Sequence, residues 1–137
     1  MANTLYPIWK EGLLQASANT SLGGTVKAVL VDTGSYTYST SHQFYSSVTG
    51  TVGTPQTIGS KTFVAGVFTG GNVTFSAVPT GSGSGSALEA IVIYIDTGNP
   101  ATSPLVGYFD TGVTGLPVTP NGGDITVSWN ASGIFQL

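Results

Sequence analysis

The chain has 137 residues and a formal net charge of -3, built from three lysines, no arginine and six acids. That length holds one hydrophobic core, and a 40% hydrophobic composition excludes a disordered chain. Three scattered lysines, Lys10, Lys27 and Lys61, make no basic stripe for a phosphate backbone, so nucleic acid is not an expected partner.

Only 7% of residues are charged, and 20 glycines, 20 threonines and 15 serines fill the gap. Such a surface of hydroxyls and backbone repels little and suits being covered. With no cysteine there is neither a disulfide framework nor a thiolate metal site. No apolar run reaches the ~18 residues that a bilayer crossing needs, so no membrane span is expected. Met1 to Tyr6 lacks the charged start and apolar stretch of a secretion signal.

The first element is Leu5 to Gln15, with Pro7 at a first helical turn and Leu5, Ile8, Trp9, Leu13 and Leu14 near helical spacing. It predicts a short amphipathic helix or arm within residues 1–22. Gly12 in its middle costs about 1 kcal/mol against alanine, so the helix needs a surface to pack on. That surface is either its own domain or another subunit. On the second alternative Tyr6, Ile8, Trp9 and Leu13 are the assembly contact.

From residue 23 to 137 the chain reads as one domain of strands. Thr25 to Asp32, Thr49 to Ile58, Lys61 to Phe68, Asn72 to Val78, Ala87 to Ile95, Leu105 to Phe109, Leu116 to Thr119, Asp124 to Trp129 and Ile134 to Leu137 are β-rich runs bounded by turn residues. Asn72 to Val78 puts Val73, Phe75 and Ala77 on one face, whereas Ala87 to Ile95 is apolar enough to be buried on both. Ser39 to Val48 is a second short helical candidate, with Thr40 as N-cap and Gln43 completing a capping box. Gly81 to Ser86 has the composition of a mobile loop between strands. Brief strands with turns at this spacing predict an all-β antiparallel sandwich, jelly-roll-like in type.

Candidate chemistry is thin. Asp-Thr-Gly occurs at Asp32, Asp96 and Asp110, each after an apolar strand. The first copy resembles the catalytic loop of aspartic proteases, in which two carboxylates share a proton. Strand-Asp-x-Gly is also ordinary turn chemistry, and three copies favour that reading. His42 is the lone histidine and no Gly-x-Ser-x-Gly elbow accompanies it, so a serine nucleophile has no base. Glu11 and Glu89 are too far apart in sequence to suggest a glycosidase pair, and no Asp-x-Asp-x-Asp run gathers calcium. Tyr36, Tyr38 and Trp129 are the aromatics a sugar-binding face would use, although alternating aromatics more often build cores. No enzyme activity, metal or cofactor is expected.

Three segments carry a resemblance: Leu5-Tyr6-Pro7-Ile8-Trp9-Lys10-Glu11, Ser21 to Ala28 (SLGGTVKA), and Leu116 to Trp129 (LPVTPNGGDITVSW). Over most of its length the chain resembles small virion structural proteins of tailed bacteriophages, above all capsid cement or decoration proteins. The resemblance implies a β-rich subunit made in the bacterial cytoplasm. It would sit on the capsid surface as a homodimer or homotrimer bound to the major capsid protein. A tail or neck component is the alternative, and a carbohydrate- or receptor-binding sandwich is a third.

Overall fold

A computed structural model describes residues 3–79 and 87–137 of the chain. The Gly81 to Ser86 loop expected from composition lies outside the described residues. The architecture is all-β and antiparallel, with one short helix. Strands β1 (Thr4–Leu5), β2 (Val26–Val31), β3 (Thr51–Thr57), β7 (Ala90–Ile95) and β8 (Leu105–Phe109) form a five-stranded sheet in the order β1-β8-β7-β2-β3. A three-stranded sheet runs β10 (Phe135–Gln136), β5 (Val67–Thr69), β4 (Thr62–Val64), and β6 (Val73–Phe75) pairs with β9 (Ile125–Val127).

The central strands read as unbroken apolar runs because both faces of the large sheet are covered. All residues of β7 and β8 are buried. Register places Phe109, Ile91 and Leu30 on one face and Tyr108, Val92 and Val29 on the other. On the first face Phe109 stacks against Phe135 of the three-stranded sheet at 6.3 Å. On the second, Tyr108 meets Tyr36 and Tyr38 at 6.4 and 5.9 Å, and Tyr94 stacks on Tyr45 at 4.1 Å. A connection between β2 and β3 thus acts as the second layer, with tyrosines where a sheet would supply strands.

That connection corrects the helix expected over Ser39 to Val48. Only Tyr45–Ser47 makes a 3-10 turn, and Ser39 Oγ accepts from the Ser41 N–H while Thr40 caps nothing. The capping pattern lost to the stacking of Tyr45 on Tyr94. Three strand expectations also change. Lys61 to Phe68 is a hairpin rather than one strand, because Ala65 and Gly66 both take positive φ, 53° and 76°, the pair required by a type I′ turn. Ala77 leaves the face of Val73 and Phe75, since its φ of 49° turns the chain outward before Val78. Leu116 to Thr119 shrinks to a single bridge, Val118 to Leu88.

The helix expected near the N-terminus forms as α1 (Pro7–Leu14), with Pro7 in its first turn. It packs on its own domain. Strand β1 pairs with β8, the Tyr6 N–H continues that ladder to the Val106 carbonyl at 3.0 Å, and Tyr6 and Trp9 are both core residues. Gly12 is explained by the loop that follows: a Cβ there would lie 3.0 Å from the Thr20 methyl group. Helix propensity at this position yields to the close approach of that loop.

Candidate assembly surface

Of the four residues expected to meet another subunit, Tyr6 and Trp9 are corrected by their burial. Tyr6 is 0% and Trp9 2% exposed, so neither offers a side chain to a partner. The Tyr6 hydroxyl pairs with that of Tyr36 at 2.7 Å, and Tyr36 continues to His42 Nδ1 at 2.8 Å. Burial, then the hydrogen bond with Tyr36, pushes the Tyr6 phenol far above its ordinary range. Trp9 donates its indole N–H to the Thr20 carbonyl at 2.9 Å and meets Phe135 edge-on. Ile8 and Leu13 are both half-buried but lie on different flanks of α1, about 140° apart by helical spacing.

A depression among the described residues starts from the Leu13 flank. It holds about 600 Å³ between α1, the Ala16 to Gly23 loop, the β4–β5 hairpin and the C-terminal Leu137. Leu13, Leu22, Phe63 and Leu137 give it an apolar wall, and none of its lining side chains is ionisable. Lys61, the nearest cation in sequence, is committed elsewhere. Its ammonium donates to the Leu22 carbonyl at 2.8 Å and to the Gly24 carbonyl, fastening the start of β4 to the loop. Of its lining residues, Leu137 and Phe63 are exposed by 62 and 53%; Leu14 and Val64, exposed by 88 and 70%, adjoin lining residues in sequence but do not line the groove. Isolated surface apolar residues are common, so Leu14 and Val64 need no partner, whereas Phe63 and Leu137 share one apolar groove.

Sequence reading missed Phe63, Val64, Leu14 and Leu137. The available signal was Ala-Gly between two β-branched triplets, which would have split Lys61 to Phe68 into a hairpin and exposed its first arm.

The other candidate residues take structural parts. Asp32 Oδ1 accepts the Gly34 N–H at 2.8 Å and Asp96 Oδ1 the Gly98 N–H at 2.9 Å, which is the turn chemistry expected. Thr33 donates its N–H and hydroxyl to Glu89. The third copy is clasped by Asn3, whose side chain accepts the Asp110 and Thr111 N–H groups at 2.7 and 3.0 Å. Asp32 and Asp96 stand at opposite ends of β2 and β7, roughly 20 Å apart by strand rise. Lys27 pairs with Asp96 at 2.9 Å, and its hydrogen bond, ahead of the Gly98 N–H, holds that carboxyl below the usual range. Tyr36 and Tyr38 face Tyr108, and the Trp129 N–H donates to the Gly71 carbonyl at 2.9 Å, so these aromatics build the interior. Among the described residues, no three His, Asp or Glu side chains gather to hold a metal ion, and no helix is long and apolar enough to cross a membrane. No protein-family model matches the sequence, and no curated protein matches it.

Proposed function

We propose that this protein is a structural subunit that docks through the uncharged apolar groove beside α1, and that the assembly it reinforces is the capsid of a tailed phage. The observation that supports the docking role is the apolar wall of Leu13, Leu22, Phe63 and Leu137, of which Phe63 and Leu137 are more than half exposed, in a groove lined by no ionisable side chain. Burying such a surface removes apolar area from water and strips no ionised side chain of its hydration, which is what repeated weak contacts on a symmetric shell require. Support for the capsid comes from the resemblance of the Leu5 to Glu11, Ser21 to Ala28 and Leu116 to Trp129 segments to cement and decoration proteins. In this reading the partners are the major capsid protein and further copies of the chain, synthesis is in the bacterial cytoplasm, and no reaction is catalysed.

Co-expression with the capsid protein of the same genome tests the reading. Purified shells should carry the protein, and Leu13→Lys combined with Leu137→Lys should reduce occupancy at least tenfold with the fold intact by circular dichroism. Occupancy unchanged in that variant would refute the groove as the docking surface. Binding to isolated tails and not to shells would move the subunit to a tail or neck.

A further inference from the structure

The β4–β5 hairpin turns at Ala65 and Gly66, so ladder geometry makes Val64 and Val67 a hydrogen-bonded pair, Phe63 and Phe68 a non-hydrogen-bonded pair, and Thr62 and Thr69 hydrogen-bonded again. Phe63 therefore directs both its N–H and its C=O away from β5. On the far side of β5 the same alternation is visible, where the Phe68 carbonyl accepts the Ile134 N–H at 2.7 Å. Strand β4 ends the sheet, and all three of its residues are exposed.

The two edges of the five-stranded sheet and the far edge of the three-stranded sheet are blunted. In β3, Gly53, Thr54 and Pro55 stand opposite Val29 alone, so the edge bulges and carries a proline without an N–H. Strands β1 and β10 are two residues long. Strand β4 has neither bulge, proline nor charge, and Lys61 beside it is bound to the Leu22 and Gly24 carbonyls.

We propose that β4 pairs with β4 of a second copy, antiparallel about a two-fold axis centred on Phe63, fusing two three-stranded sheets into one of six strands. The occupant follows from the strand's own chemistry. Its outward donor and acceptor belong to its middle residue, so self-pairing aligns Phe63 with Phe63 of the copy, and Thr62 with its Val64, without a register shift. No like charges meet. Phe135, Phe68 and Phe63 already form a row across the sheet, with neighbouring rings 5.4 and 5.5 Å apart. The two-fold doubles this row and covers the half of Phe63 now facing water. The pairing rests on the assembly role proposed above and specifies how copies join.

The chain has no cysteine, so a directed cross-link is clean. Thr62 and Val64 of the copy would form a non-hydrogen-bonded pair with Cα atoms about 4.5 Å apart, within disulfide reach, whereas like positions would be roughly 8 Å apart, beyond it. An oxidised mixture of Thr62→Cys and Val64→Cys proteins should therefore yield a covalent dimer, and each variant alone should not. Phe63→Asp should shift the sedimenting species from dimer to monomer, raising the dimer dissociation constant at least tenfold. Failure of the mixture to cross-link, or sedimentation unchanged by Phe63→Asp, would overturn the pairing. Shell occupancy read on the same variants separates the two ideas: a protein that still loads shells but never cross-links loses the β4 pairing and keeps the docking role.

Discussion

Trp9 decides whether the N-terminal segment is part of the core or a free arm. Its ring is 2% exposed, contacts Phe135 at 5.9 Å and donates to the Thr20 carbonyl at 2.9 Å. Replacing it with alanine removes the largest side chain that joins α1 to the sheets, and truncations of this kind cost about 3–5 kcal/mol. Trp9→Phe keeps most of the apolar contact and strands the Thr20 carbonyl, a loss of about 1–2 kcal/mol. For a domain of this length the alanine variant should melt roughly 8–16 °C lower. Urea unfolding followed by circular dichroism, with Trp129 as the remaining indole reporter, gives both numbers. An alanine variant within about 1 kcal/mol of the parent would refute the docking of α1 and restore a free arm. Equal costs for the two variants would show that the hydrogen bond, and not the packing, holds the helix.

The tyrosine layer makes the fold alkali-sensitive. Burial pushes the phenols of Tyr6 and Tyr94 well above the ordinary 10.0, so their contribution to stability is complete below pH 10 and is lost as pH rises above it. Each such group should remove about 1.4 kcal/mol per pH unit above 10, and Tyr6→Phe should make that slope shallower, as read by denaturant unfolding at a series of pH values. Gly107 lies under the Phe109 ring, where an added Cβ would sit 2.6 and 2.8 Å from ring carbons. Gly107→Ala should cost about 1–3 kcal/mol, and adding Phe109→Leu should give a total below the sum of the single effects. Ala65→Asn at φ 53° should stabilise the hairpin by about 0.5–1 kcal/mol and raise the melting temperature; a lower melting temperature would contradict the turn assignment.

The strands that matter for the core were legible because their signal is compositional. The apolar run at Ala87 to Ile95 and the segment Leu105 to Phe109 became β7 and β8, buried on both faces as their lack of polar alternation implies. Gly12, Ala65 and Ala77 were not legible, since each obeys a tertiary demand: the approach of Thr20, a hairpin reversal, and an outward turn before Val78. The Ser39 to Val48 segment carried a real capping pattern that the local rule reads as helix. Its Tyr45 instead covers the large sheet by stacking on Tyr94, a role set by a partner far along the chain. The candidate surface was half visible. Leu13 was identified from helical spacing, whereas Phe63 and Val64 were hidden by the unrecognised turn beside them.

The irregular β3 edge has a consequence for handling the protein at high concentration. Few charges stand on the surface and the net value is only -3, so copies approach one another with little Coulomb resistance. Shape must then do what repulsion does in more highly charged proteins. Pro55 and the distortion around Val29 deny neighbours a straight ribbon to template on, which keeps crowding from running on into open-ended fibrils.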